Sequence, residues 1–162
     1  MKNTLYSVNP ILISALGLTA FIGFLVEKTK HHVIYIIAGQ SLVSFGFYRL
    51  LKVPNCDENS CLISSIIIGI GSAIAGGTLW PILGFNVDKS KSASAYGIAT
   101  SCQNLGYIIL PLLNGWLMDN STSKSSAYDN ILSYYFYITV TSVVLSFGLL
   151  IAAGVNGGPY NK

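Results

Sequence analysis

The stretch AYGIATSCQNLGYIILP, residues 95 to 111, decides how the rest of this chain is read. It is apolar over most of its length, yet it sets Gln103 beside Asn104 near its middle. In hydrocarbon an amide without a hydrogen-bond partner costs several kcal/mol. Interhelical hydrogen bonds inside a membrane return only about 0.6–2 kcal/mol each. If this stretch crosses a bilayer as a helix, the cost dictates that the amide pair turns toward protein or water and away from lipid.

Composition places the stretch in a membrane. Of the 162 residues 52% are hydrophobic and 9% are charged, with a mean hydropathy of +0.59. Soluble domains carry about 25% charged residues, so this chain lacks the charge to cover a water-facing surface. Its apolar residues gather into five runs: Pro10–Val26, Val33–Leu51, Leu62–Val87, Ala95–Met118 and Ile131–Val155. Each is near or above the ~20 residues a helix needs to cross ~30 Å of hydrocarbon. Between them lie EKTKHH, KVPNCDENSC, DKSKSAS and DNSTSKSSAYDN. No ten-residue alternating strands favour a barrel, so the reading is an all-α polytopic membrane helix bundle of five transmembrane helices. The first run is kept as a helix and not a signal peptide, because no small-x-small cleavage site follows it. The net charge of +3 comes from lysines scattered over the loops. It forms no basic stripe and gives no reason to expect nucleic acid.

Charge and loop chemistry give an orientation. With EKTKHH cytosolic, Lys28, Lys30, Lys89, Lys91 and Lys162 lie on the cytosolic face. Lys2, Arg49, Lys52 and Lys124 lie on the other, a small positive-inside excess. The N-terminus is then luminal and the C-terminus cytosolic. Asn120-Ser121-Thr122 is a glycosylation sequon on the luminal side, and Cys56 and Cys61 share a luminal loop in which they can pair or stay free. Cys102, within the fourth run, reads as a small packing residue. Tyr48 and Arg49, and Tyr134, Tyr135 and Tyr137, read as interfacial anchors, with pore lining as the other reading for the tyrosines.

On a helix, residues three and four apart share a face. Tyr96, Thr100, Asn104, Tyr107 and Pro111 therefore align, flanked by Ala99, Gln103 and Gly106, while Ile98, Cys102, Leu105, Ile109 and Leu112 lie opposite. The polar arc is either a seam of helix-to-helix hydrogen bonds or the lining of a substrate cavity. In the third run Gly69, Ala73, Gly76 and Trp80 fall on one face with Gly77 beside them, a spacing that lets helices approach closely. Trp80-Pro81 follows, and the proline removes a backbone donor and favours a bend. Trp80 there either gates or binds, by stacking on a substrate amine, or anchors at the interface. The first and fourth runs end in GFLVEK and GWLMDN. Both are Gly-x-x-x-acid, three runs apart and oppositely directed, as in the inverted repeats of transporters.

The cytosolic copy, Gly23 through Glu27 and Lys28 to His32, resembles the loop signature of the major facilitator superfamily. Glu27 stands for the usual Asp, Lys30 for Gly, and His31-His32 for two cations. The His pair lacks the further ligands of a closed metal site. Leu79-Trp80-Pro81, Ala95-Tyr96-Gly97, Gln103-Asn104-Leu105-Gly106 and Gly115 through Asp119 together resemble the lysosomal dipeptide transporter subgroup of that superfamily. On this resemblance the five runs correspond to helices eight to twelve of twelve, with seven lying outside the chain. The resemblance implies a multi-pass lysosomal membrane protein in the lipid bilayer, a uniporter exporting dipeptide substrates, cationic ones included, and a glycosylated lysosomal membrane accessory partner. It implies a substrate cavity bordered by Trp80, Tyr96, Thr100, Gln103, Asn104 and Tyr107. A charged substrate needs ionisable groups, which these runs do not carry at mid-span, so the chain alone is expected not to transport. Other readings are a facilitator of sugar or organic anion, or a non-transporting scaffold that assembles, as a homodimer for example, through its small-residue faces. No cofactor or metal is expected, and no paired carboxylates, Ser–His–Asp or Cys–His arrangement suggests an enzyme.

Overall fold

The computed structural model of the chain describes residues 19, 21–26, 28, 32–52, 58–121 and 123–155. Glu27 and Cys56, both singled out in the sequence, lie outside the described residues, as does most of the first apolar run. What is described is helical apart from short connections. Residues 19, 21–26 and 28 are helical and are labelled α1. They are followed by α2 (His32–Lys52), α3 (Glu58–Asn86), α4 (Ser92–Asp119) and α5 (Lys124–Val155). Runs two to five therefore each become one helix, with boundaries moved outward by up to seven residues except at the end of the third run, where α3 stops one residue short. Both Pro81 and Pro111 lie inside their helices without ending them.

Three described helical segments are long and apolar enough to cross a membrane: His32–Lys52, Asn59–Gly84 and Ser126–Ile151. At 28 residues, α4 is about 42 Å long and has the length. It is not among the three because Thr100, Ser101, Gln103, Asn104 and Asn114 dilute its apolar character. The amide pair is thus the feature that separates this helix from its neighbours.

Helices α2 and α3 pair most closely, and they do so through backbone. A Cβ added at Gly39 would stand 2.8 Å from both the Gly71 carbonyl and the Ala75 nitrogen, and one added at Gly71 would stand 2.7 Å from the Gly39 carbonyl. At Gly46 it would meet Ile68 at 2.5 Å. Only residues without a Cβ permit this approach. Next to it, α1 packs Ile22 and Val26 on Ala73 of α3, with Tyr35 and Ile74 alongside. Gly77 sits under the α1 backbone, where a Cβ would lie 2.9 Å from the Thr19 carbonyl. Two faces of α3 make these contacts: Gly71 and Ala75 meet α2, and Ala73 and Gly77, four residues apart, meet α1. Gly76, assigned to the face of Ala73 by the sequence spacing, has nothing within 4 Å of its Cβ position. A helical repeat fixes which residues share a face, but not how that face is rotated toward its neighbour.

Helix α5 begins at Lys124, seven residues before the apolar run. Ser123 and Ser126 cap it reciprocally: the Ser126 backbone N–H donates to the Ser123 hydroxyl, and the Ser123 N–H to the Ser126 hydroxyl, each at 3.2 Å. This is a capping box with serine in the place of the usual Glu or Gln. Tyr135 also packs between helices. It stacks on Phe47 of α2 at 5.5 Å and 9° and accepts a 2.8 Å hydrogen bond from Asn114 Nδ2 of α4, joining three helices. Tyr48 leans on Phe136 at 5.9 Å and takes the Lys52 ammonium over its ring at 6.0 Å.

Hydroxyls within the helices are satisfied locally. Ser64 and Thr78 are fully buried, and each donates to the carbonyl four residues back. Ser101, Thr141 and Ser146 do the same. Such back-bonding lets a hydroxyl enter an apolar environment without a partner helix. Cys61 is disulfide-bonded. Cys102 is free and exposed on α4.

Candidate functional site

The candidate site is built on α4 and the C-terminal part of α3, which a five-residue connection, residues 87–91, joins. Asp88, Lys89, Ser90 and Lys91 are exposed there. The Lys91 N–H donates to the Asp88 carbonyl at 2.8 Å and the Ser92 hydroxyl to the Lys89 carbonyl at 2.9 Å. This short turn brings Tyr96 back alongside Trp80. Their rings stack at 6.0 Å and 17°, and the Tyr96 hydroxyl donates to the Trp80 carbonyl at 3.1 Å. Both residues are half-buried. A Cβ at Gly84, one turn on, would lie 2.7 Å from that hydroxyl.

From Tyr96 the polar arc continues along α4. Thr100, Gln103 and Asn104 are exposed, as is Tyr107 at 65%. Gln103 Nε2 donates to the Tyr107 hydroxyl at 3.0 Å, one turn along the same helix. Asn104 makes no hydrogen bond among the described residues. The sequence-derived arc therefore exists as one face, and no described helix of the chain covers it. The opposite face is equally open, with Ile98 at 67% and Leu112 at 69% exposed. No described residue of α4 is buried. The face that leans on the rest of the chain lies between these two and runs through Ala99, Gly106, Leu110, Leu113 and Leu117, all half-buried. It closes at Asn114, whose Oδ1 is buried without a hydrogen bond while its Nδ2 binds Tyr135.

Other sequence-derived positions fall elsewhere. Gly23 lies against α3, its Cβ position 3.6 Å from the Gly77 carbonyl. Pro81 has no N–H, so that carbonyl loses its usual partner one turn on, and the close backbone of Gly23 faces it. Gly115, the matching glycine of the repeat, has nothing within 4 Å. Among the described residues the two glycines are therefore not packed alike. Lys28 is exposed and His32 is buried as the first residue of α2; His31, the other half of the His pair, lies outside the described residues. Asn120 is the exposed C-cap of α4; its side-chain nitrogen donates to the Trp116 carbonyl at 2.9 Å. No group of three or more metal-ligating side chains occurs among the described residues. Two polar groups on α2 escaped the sequence reading: Gln40, half-buried with no hydrogen bond among the described residues, and Ser44, buried with its hydroxyl unpartnered. A lone amide or serine in a run this apolar is a signal, but a weaker one than an adjacent pair.

Chemically, the α4 arc offers hydroxyls, amides and a phenol, all neutral donors and acceptors. No charged residue lies between Ser92 and Met118 of α4, or between Asn59 and Asn86 of α3. The arrangement can bind and orient polar groups and hold water. It contains no nucleophile–base pair.

Comparison with known proteins leads to the subgroup that the motifs resemble. The chain is 24% identical over 122 residues to the lysosomal dipeptide transporter MFSD1 of Mus musculus, covering 70% of this chain and 24% of that protein. It is 28% identical over 100 residues to the Homo sapiens protein of the same name, covering 60% and 20%. Against the Danio rerio protein it is 25% identical over 105 residues, covering 60% and 20%. The match thus spans a quarter or less of the length of these relatives. No family model and no solved structure matches the chain.

Proposed function

We propose that this chain forms part of the transmembrane body of a solute carrier of the lysosomal dipeptide transporter kind. In this reading the α4 arc borders the substrate path. Thr100, Gln103, Asn104 and Tyr107 line it, and Tyr96 and Trp80 stand at its α3 end. The observation that carries the reading is the adjacent amide pair on a 28-residue helix, left uncovered by every described helix of its own chain. Burying those amides against lipid would cost several kcal/mol. They face instead either water or further helices of the carrier, and a path for a polar solute supplies both.

The neutral arc suits the peptide group of a dipeptide, which needs a donor and an acceptor. The charged ends of such a substrate call for ionisable partners, and the middles of α2 to α5 contain none. On this ground the 162-residue chain by itself does not transport. The orientation that fits puts Lys28, Lys89 and Lys91 in the cytosol. Asn120, as a glycan acceptor, and the Cys61 disulfide, with Cys56 as its partner, then lie in the lysosomal lumen.

A chimera tests the proposal. The matching segment of the mouse transporter is replaced by this chain, and the product is reconstituted in liposomes with labelled dipeptides. Uptake by the chimera, its loss in Gln103→Leu/Asn104→Leu, and no uptake by the chain alone are the expected results. A chimera that reaches the membrane and takes up nothing contradicts the carrier reading. Uptake by the chain alone contradicts its dependence on further helices.

A further inference from the structure

We infer that Tyr96, Trp80 and Gly84 form a releasable clasp that sets how α4 leans on α3, making α4 the element of this chain that can move as a unit. The first ground is the attachment of α4. None of its described residues is buried. Its side chains make hydrogen bonds to other helices at only two described points, Tyr96 to the Trp80 carbonyl and Asn114 to Tyr135. These are five turns apart, about 27 Å along the axis. Between them the polar hydrogen bonds stay within α4: Ser101 to the Gly97 carbonyl and Gln103 to Tyr107.

The second ground is the fit at the α3 end. The stacked rings and the hydroxyl-to-carbonyl bond are two separate contacts made by one tyrosine. Gly84 is the seat of that hydroxyl, since any side chain there begins 2.7 Å from it. The Trp80 carbonyl is in the helix interior and has a second lone pair to offer, so opening the clasp leaves the α3 backbone ladder intact. Release therefore costs little and disrupts no core. The inference concerns the lean of α4 and holds whether or not a substrate passes beside it.

The test uses the 162-residue chain in lipid nanodiscs, with Trp116→Phe leaving Trp80 as the sole tryptophan and Cys102→Ala removing the free thiol. Spin labels replace the exposed Ile70 and Ile108, and the distance distribution between them is measured with the Trp80 emission. The parent gives one dominant distance. Tyr96→Phe, which keeps the ring and loses the bond, raises a second distance about three- to tenfold, the population change expected for one interhelical hydrogen bond in a membrane. Gly84→Ala raises it further and shifts the Trp80 emission. Tyr107→Phe, outside the clasp, changes neither. Should Tyr96→Phe keep the parent distribution at unchanged helicity, the clasp is overturned; the same holds if Tyr107→Phe matches its effect.

Discussion

The α2–α3 pair and α4 are helices of similar apolar ancestry in the sequence, yet they are held in opposite ways. In the pair, backbone lies on backbone at Gly39 and Gly71, and the polar hydroxyls of Ser64 and Thr78 are hidden by bonding within their own helix. On α4 a Cβ added at Gly97, Gly106 or Gly115 would meet nothing within 4 Å, and the amides lie open. Without a hydrophobic drive between helices in lipid, close packing is what holds them. The pair has that packing and α4 lacks it. A helix that gives up packing while keeping amides has its partners elsewhere, in water or in other helices.

Substitution can sharpen this contrast, and the largest effects belong to the pair. Gly71→Ala places a Cβ against the Gly39 carbonyl and the Val43 backbone, so helix pairing is expected to weaken by about 1–3 kcal/mol. Unfolding in mixed micelles measures it. Tyr135→Phe keeps the stack on Phe47 and removes the acceptor for Asn114. The expected loss is about 0.6–1.7 kcal/mol in the same assay. On α4, Gly106→Ala meets open space and is expected to be neutral or to stabilise by up to ~1 kcal/mol through helix propensity. Gln103→Leu removes a bond internal to an exposed helix face, so stability is expected to change by less than about 0.5 kcal/mol. A large loss at Gly106 or Gln103 would mean that α4 is packed after all.

Much of this was legible in the sequence, for identifiable reasons. The four long helices follow from the length of the apolar runs, which a membrane dictates. The arc from Tyr96 to Tyr107 follows from helical periodicity. Ala73 and Gly77, read in the sequence as part of one small-residue face, do meet α1; Gly71 did not follow, because the neighbouring helix α2 decides which other face of α3 it meets. The role of Tyr135 in joining helices did not follow either, because Phe47 and Asn114 are remote from it in sequence. The early start of α5 depends on a Ser123–Ser126 cap hidden in a serine-rich loop. The Trp80–Tyr96 clasp joins residues sixteen apart whose meeting is set by the turn between their helices.

The most direct measurement is thiol accessibility along α4 in membranes. Single cysteines at positions 100, 103, 104 and 107, in a Cys102→Ala background, would be compared with cysteines at 98, 105, 109 and 112. The account predicts that a membrane-impermeant maleimide labels the first set and spares the second. Labelling of the second set with protection of the first would show the amides turned to acyl chains, and would contradict it.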